Sequence, residues 1–283
     1  MAQRKKNDTR TKLYATLKIM AVFGLVGLVG AGFLWAERFV QGRRPGQAGD
    51  LVFVDKPTWV DATLLSRVTD TVGKRFYLQP GVAEEVSAIL NRVPWLHEIS
   101  VEVSHETVRV HAQWRKPLAT VKSGVVHFCV DRDLVVLDAL DLALPTVTVR
   151  GVRYRHKPAI GSRLEKEDLA AAVDLIAILN GMDEQQAPAP PLLAQIDTLD
   201  ISNFRGREAK QASHIILTTK EKTRIEWGAE IGAWGENLEN SDTRKLARLY
   251  TTFKELNYSF GALQFIINLK DSPYEVPFPV DQY

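Results

Sequence analysis

The stretch from residue 19 to residue 36 constrains this chain more than any other feature. It reads IMAVFGLVGLVGAGFLWA, which is 18 consecutive residues without a charge or a strongly polar side chain. A membrane-spanning helix needs about 20 predominantly apolar residues, with a usual range of about 17–25. At about 1.5 Å per residue the stretch is about 27 Å long, close to the thickness of a bilayer's hydrocarbon core. The sequence therefore predicts one transmembrane helix over residues 19–36.

A cleaved signal peptide is the alternative interpretation of this stretch. The apolar region of a signal peptide usually has about 7–15 residues and ends at a cleavage site of small residues. Gly30, Ala31 and Gly32 imitate such a site, but the apolar run continues through Trp35. Because an indole side chain favours the membrane interface, the terminal tryptophan and the length both favour an uncleaved anchor.

The basic charge of the chain is concentrated before the predicted helix. Residues 1–18 carry six basic residues and one acidic residue, a net charge of +5, whereas the remainder carries 30 basic and 33 acidic residues, a net charge of −3. Because basic flanks stay on the cytoplasmic side, we expect residues 1–18 to form a cytoplasmic tail and the body to be exported. The body also lacks the basic surface that a nucleic-acid-binding fold would carry, so we expect no nucleic-acid partner.

The first exported block shows the order strand, helix, helix, strand, strand. Residues 37–50 are predicted to form a linker, since most of them are polar or are glycine and proline. Helical spacing predicts the two helices, and alternation of apolar and polar residues around a short turn predicts the final hairpin. The predicted elements of this domain, residues 51–117, are a strand at 51–54, helices at 61–70 and 82–93, and strands at 99–103 and 108–114.

Residues 118–272 are predicted to form a second, mostly antiparallel β-domain with two helices, so that the fold class is α+β. One helix is predicted over Glu165–Asn180, with Gly181 as the residue that ends it. The other is predicted over Ser241–Leu256, with Ser241 as its N-cap. Residues 273–283 contain three prolines and are predicted to be an irregular tail. The predicted strands lie at 118–122, 125–130, 134–137, 146–149, 196–201, 214–218, 224–227 and 262–269.

The sequence contains no pattern that indicates catalysis or a cofactor. Phosphate-binding loops, nucleophile elbows, zinc-protease motifs and C-x-x-C pairs are all absent. The chain has one cysteine, Cys129, in an apolar run that predicts a buried core residue, so neither an internal disulfide nor a thiolate cluster can form. Asp131 and Asp133 flank an arginine, a spacing that favours a turn over a cation site. We therefore predict no catalytic residue, metal site, cofactor or small-molecule substrate.

Seven short motifs follow one another in a fixed order along the exported part. They are VPWL at 93–96, ETVRV at 106–110, RKPLA at 115–119, CVDRDLVVL at 129–137, RIEWG at 224–228, KLARLYTTFKEL at 245–256 and FIINLK at 265–270. Their order and spacing, over residues 10–273, resemble the FtsQ/DivIB family of bacterial cell-division proteins. The resemblance implies a short cytoplasmic tail, one membrane helix, a POTRA domain and a β-domain.

The resemblance also implies a non-enzymatic hub in the cell inner membrane that is enriched at the division septum. In this family the POTRA domain contacts earlier-arriving division proteins. The β-domain binds the small bitopic proteins FtsB (DivIC in other lineages) and FtsL, and the edge of its last strand accepts a partner strand. By this resemblance the candidate partner-binding residues are Phe265, Ile266, Ile267, Asn268, Leu269, Lys270 and Tyr274.

The alternation within the last strand divides these residues between two faces. The face that carries Gln264, Ile266 and Asn268 is predicted to meet solvent, which makes Ile266 the candidate apolar anchor for a partner. The alternative is that Ile266 packs under a neighbouring strand. The family usually has an acidic residue at the position of Asn268 and an aromatic residue at that of Asp271.

Two other functions fit a membrane-anchored chain with a POTRA-like domain. An export or envelope-assembly factor usually carries tandem POTRA units or a barrel of alternating strands. This sequence shows one POTRA-like block and no barrel pattern. A membrane-anchored cell-wall enzyme would need a pair of acids in a cleft, and the sequence offers no obvious pair.

Overall fold

The computed structural model describes residues 48–104, 106–138, 146–261, 263 and 266–271. Over these ranges the chain is a mixed α+β protein with four α-helices and two β-sheets. No helix within the described ranges is both long and apolar enough to cross a bilayer. The predicted cytoplasmic tail, the predicted transmembrane helix and residues 273–283 lie outside the described residues.

The first half of the described chain is a four-stranded sheet with two helices. The elements are β1 (Ala48–Phe53), α1 (Ala62–Val72), β2 (Arg75–Tyr77), α2 (Val82–Leu90), β3 (Leu96–Val103) and β4 (Thr107–Trp114). The strands lie in the order β2-β1-β4-β3, with β1 parallel to β4 and the other two pairs antiparallel. Inward-facing residues of the helices and strands form one apolar cluster.

Residues next to helix α1 in the sequence, Asp61 and Gly73, determine where the helix begins and ends. The Asp61 carboxylate accepts the N–H of Leu64 at 2.8 Å and so caps the helix. Gly73 follows the last turn with a φ of +105°, a conformation that favours glycine. The buried stripe of α1 follows helical spacing, from Leu64 through Val68 to the last residue. The helix predicted here is confirmed.

Strand β2 is an element that the sequence pattern does not predict. It pairs antiparallel with Ala48–Asp50, so β1 begins inside the predicted linker. A three-residue strand is too short to show a clear alternation, and both of its end residues, Arg75 and Tyr77, are exposed. The predicted order strand, helix, helix, strand, strand is therefore present with one short strand added between the helices.

The second half is an eight-stranded sheet with two helices. The elements are β5 (Ala119–Ser123), β6 (Val126–Val130), β7 (Val136–Leu137), β8 (Val147–Arg150), α3 (Glu167–Gln186), β9 (Ile196–Asp200), β10 (Ile215–Thr219), β11 (Arg224–Gly228), α4 (Asp242–Glu255) and β12 (Ile267–Asn268). The strands lie in the order β12-β11-β10-β9-β8-β5-β6-β7. The first seven predicted strands of this half are present, with differences at their ends. The last was predicted over 262–269, but among its described residues only 267 and 268 have strand conformation, and residues 262, 264 and 265 lie outside the described ranges.

This sheet is more mixed than the prediction of a mostly antiparallel domain. The pairs β5–β8, β8–β9 and β11–β12 are parallel, and the other four are antiparallel. The helices explain two of the parallel pairs: α3 connects β8 to β9, and α4 connects β11 to β12. A helical crossover returns the chain to the same end of the sheet, which makes the two strands parallel.

Helix α3 continues past Gly181 to Gln186, so the prediction that Gly181 ends it is wrong. The added turn is held by the buried carboxylate of Asp183. This carboxylate accepts the hydroxyl of Tyr250 at 2.8 Å and the N–H of Leu193 at 2.8 Å. Burial, followed by the bond to Asp183, raises the pKa of the Tyr250 hydroxyl. These partners are distant in sequence, so the local pattern could not reveal them.

The two halves share contacts at their junction. Cys129 and Leu137 of the second half belong to the apolar cluster of the first half. The Arg115 guanidinium donates to Asp131 at 2.6 Å and to Asp133 at 3.2 Å. Asp131–Asp133 therefore forms a turn, as predicted, and Cys129 is buried, as predicted. Burial raises the pKa of the Cys129 thiol.

Candidate partner-binding edge

Strand β12 lies at one edge of the eight-stranded sheet. It pairs with β11 on its inner side, where Asn268 lies opposite Glu226 and the N–H of Leu269 donates to the Glu226 carbonyl at 3.0 Å. Consecutive residues of a strand direct their backbone groups to opposite sides, so the groups of Ile266 and Asn268 point away from β11. We call these groups the outer edge of β12. Within the part of the chain that the structure describes, no strand pairs with them.

The side chains of the last strand divide between two faces. Ile267 is 5 % exposed and Leu269 is fully buried, and both belong to the main core of this half. Ile266 is 54 % exposed. Its predicted position on the solvent face is thus confirmed, and the alternative that it packs under a neighbouring strand is wrong.

Five of the seven predicted partner-binding residues, 266–270, lie within the described ranges. Phe265 and Tyr274 lie outside them. Ile267 and Leu269 direct their side chains into the core and hold the strand against the sheet. A partner on the outer edge would therefore meet the side chain of Ile266 and the backbone of residues 266 and 268.

Asn268 ends the strand with a side-chain turn. Its Oδ1 accepts the N–H of Lys270 at 3.1 Å and that of Asp271 at 3.3 Å, as in an Asx turn. Its Nδ2 donates to the Asp271 carboxylate at 2.5 Å. An aspartate at position 268 could accept the same two N–H groups, but it could not donate to Asp271. Asn268 and Asp271 are therefore a matched donor and acceptor.

A buried asparagine holds the chain directly after β12. The Nδ2 of Asn240 donates to the carbonyls of Leu269 at 3.0 Å and Asp271 at 2.7 Å. The backbone N–H of Asn240 donates to the Lys270 carbonyl at 2.8 Å. We call these three hydrogen bonds the Asn240 clamp. Asn240 is 5 % exposed, so the clamp lies away from bulk solvent.

A buried ion pair lies next to the Asn240 clamp. The Lys245 Nζ is 2.6 Å from Oε2 of Glu239 and 5.2 Å from the centroid of the Trp227 ring, and Lys245 is fully buried. The same Glu239 oxygen accepts the N–H of Ala229 at 2.8 Å. A buried ammonium requires such a partner, because water no longer solvates it.

Neither Asn240 nor Lys245 was predicted from the sequence to be buried at this site. A signal for Lys245 was present, since it precedes the buried Leu249 and Phe253 of α4 at steps of four residues. No comparable signal exists for Asn240, because it lies in a loop and its partners are about 30 residues further along the chain.

The rest of the described chain offers little that resembles a reactive centre. Among the described residues no three His, Cys, Asp or Glu side chains converge in a way that could hold a metal ion. A groove of about 540 Å³ lies beside α3, lined by Arg132, Asp174, Ile178, Met182 and Ile231 together with small and polar residues. It contains one carboxylate, Asp174, whereas glycoside hydrolysis usually uses a pair of carboxylates.

Comparison with known proteins adds no family to this description. No protein-family model matches the chain, and no curated protein matches it. Function must therefore be inferred from the chain's own residues, above all from the outer edge of β12, its exposed isoleucine and the hydrogen bonds that fix the strand's end.

Proposed function

We propose that this chain is a non-enzymatic scaffold of the bacterial division machinery, of the FtsQ/DivIB type. Residues 1–18 lie in the cytoplasm, residues 19–36 cross the inner membrane, and the two β-sheet halves lie in the periplasm. The outer edge of β12 captures a β-strand of a small bitopic partner of the FtsB or DivIC kind, which itself associates with an FtsL-like protein. The POTRA-like first half contacts other division proteins.

The outer edge of β12 is the observation that carries this proposal. The backbone groups of Asn268 point away from β11, and Ile266 beside them is half exposed. No described strand pairs with this edge. Such an edge accepts an extended peptide, whose main-chain hydrogen bonds supply affinity. Cross-strand contacts to Ile266 would supply selectivity for an apolar side chain.

The described part of β12 is short, so strand pairing alone would bind weakly. Two residues have strand conformation, which limits the main-chain bonds that a partner can form there. In the proposed arrangement the scaffold and its partner are both anchored in one membrane. Anchoring raises the effective concentration of one chain at the other, and modest contacts then suffice for a stable complex.

Co-purification with the partner tests the capture mechanism. The full chain is produced in its own host, and the host's FtsB- or DivIC-like protein is measured in the purified membrane complex. The variant Ile266→Pro removes an outer-edge N–H without removing a bond to β11, so we expect the partner to be lost while membrane insertion is unchanged. Val125→Pro, on the exposed turn between β5 and β6, is the matched control and should retain the partner. Retention of the partner by Ile266→Pro would contradict strand capture.

Localisation tests the broader role. A fluorescent fusion of the full chain should concentrate at midcell during division, and depletion should block septation. A uniform envelope signal together with normal septation after depletion would contradict a division function.

A further inference from the structure

We infer that the Asn240 clamp sets the end of the partner-binding edge and thereby the register of the captured strand. This inference rests on the proposed function, since it assumes that β12 captures a strand. Asn240 is then a positioning residue: it touches the end of β12 and not the partner.

The backbone groups of residues 269–271 are all satisfied within the chain. Asn240 occupies the carbonyls of all three residues, and Arg248 adds a longer bond of 3.3 Å to the last of them. The N–H of Leu269 donates to β11, and the next two N–H groups donate to Asn268 Oδ1. All six groups thus have an internal partner, and a partner strand that needs an N–H of residues 269–271 must break an existing bond. The available edge ends at Asn268.

The loop before α4 holds Asn240 in this position. Gly228 ends β11 with a φ of +96°, and a Cβ on it would lie 2.2 Å from the Glu239 carboxylate. That carboxylate binds the next N–H of the loop, at Ala229, and the ammonium of Lys245. Asn240 directly follows Glu239, so the buried ion pair fixes the residue that forms the clamp.

The Asn240 clamp limits which partner segments can pair with the outer edge of β12. Pairing can include Asn268 and Ile266, but it must stop where residues 269–271 turn. A fitting partner strand therefore diverges from the sheet opposite Asn268 and places an apolar side chain across from Ile266. A segment that needs pairing beyond Asn268 would leave its own backbone groups without partners and would bind less tightly.

Residue-resolved amide hydrogen exchange on the wild-type complex tests this without any substitution. The full chain is compared in nanodiscs with and without the periplasmic segment of the host's FtsB- or DivIC-like protein. We expect exchange of the Asn268 amide to slow at least tenfold, while the amides of Lys270 and Asp271 change less than twofold. Slowing that extends through residues 270 and 271 would overturn the inference.

Substitution of Asn240 provides the second test. Asn240→Ala should weaken binding of the same periplasmic segment by about tenfold, because the end of the strand is no longer held (about tenfold per 1.4 kcal/mol). Asn237→Ala is the matched control: Asn237 lies in the same loop, and its amide donates to the Ala233 carbonyl at 2.9 Å. We expect this control to bind within twofold of wild type. Where Asn240→Ala does not fold, Asn240→Asp keeps the size and the backbone donor and removes the two amide donors.

The outcomes separate the inference from the function beneath it. Loss of binding in Ile266→Pro together with wild-type binding in both Asn240 variants overturns the clamp and leaves strand capture in place. Wild-type binding in Ile266→Pro overturns strand capture itself. We expect Ile266→Pro and Asn240→Ala to lose partner binding and Asn237→Ala to retain it.

Discussion

The two edge strands of the eight-stranded sheet, β7 and β12, differ in whether a neighbouring segment covers them. At one edge, a neighbouring segment covers β7. The N–H of Val136 donates to the Ser162 carbonyl at 2.9 Å, and the Val136 carbonyl accepts the N–H of Gly161 at 2.7 Å. Both residues of β7 are fully buried, and Leu137 belongs to the core of the first half. At the other edge, β12 has no such cover within the described residues, and Ile266 beside it is exposed.

The long edge of the four-stranded sheet shows a third arrangement. Strand β3 has a register shift between His97 and Ser100, with Glu98 in a left-handed conformation at a φ of +51°. Glu98 and Glu102 are exposed on this strand. A bulge and charged residues both discourage pairing with another chain.

The difference between these edges indicates where to look for a partner. Sheets generally protect their edges, because an open row of backbone groups invites association with other chains. Here one edge is covered by a neighbouring segment and another is bulged and charged, while β12 has an exposed isoleucine and a turn that limits its length. Among the edges compared within the described residues, β12 is therefore the one at which to test for a partner strand.

Breaking the buried ion pair near β12 should have the largest effect. Lys245→Met leaves the Glu239 carboxylate buried without its counter-ion, so we expect the free energy of unfolding to fall by about 3–5 kcal/mol. The double variant Lys245→Met/Glu239→Gln should recover most of this loss, since glutamine can still accept the Ala229 N–H. Denaturant unfolding followed by tryptophan fluorescence measures both values.

Lys254→Met is the control for this prediction, since Lys254 lies on the same helix and is exposed. For Lys254→Met the free energy of unfolding should change by no more than about 0.5 kcal/mol. A loss for Lys245→Met no larger than that of Lys254→Met would show that the ion pair does not hold the region around β12.

Proline substitutions compare the two edges directly. Val136→Pro removes an N–H that the covered edge uses, in a fully buried residue, so we expect a loss of about 3 kcal/mol or more in the free energy of unfolding. Ile266→Pro removes an N–H that points outward, so its loss should stay below about 1 kcal/mol. Equal losses would mean that the chain itself uses the outer edge of β12, which would remove the contrast on which partner capture depends.

The sequence predicts what depends on neighbours in the chain. The N-cap Ser241 is confirmed, since its side chain accepts the Arg244 N–H within the first turn of α4, and the exposure of Ile266 follows from simple alternation. Asn240 could not be predicted in the same way, because its acceptors lie 29 and 31 residues away. Lys245 was missed because its charge suggested solvent, although its spacing suggested the core. The extended end of α3 depends on Asp183 and its distant partners and was missed for the same reason as Asn240.

Asn268→Asp tests the matched pair at the open edge. The substitution replaces an amide donor by a carboxylate facing that of Asp271, so we expect a loss of about 1 kcal/mol in the free energy of unfolding. The double variant Asn268→Asp/Asp271→Asn restores a donor opposite an acceptor and should recover most of it. A double-mutant cycle measures the coupling, and additive losses would contradict a direct interaction between the two side chains.

Gly181→Ala should have the smallest effect, and it separates stability from binding. Gly181 lies inside α3, and a Cβ on it would meet nothing within 4 Å. Alanine favours a helix interior over glycine, so we expect the free energy of unfolding to rise by about 0.5–1 kcal/mol. Because α3 does not form the outer edge of β12, partner affinity should stay within twofold of wild type. A variant that is more stable yet binds equally well would show that the losses expected at β12 do not simply follow global stability. A change in affinity here would instead make α3 part of the partner-binding surface and weaken the contrast between the two edges.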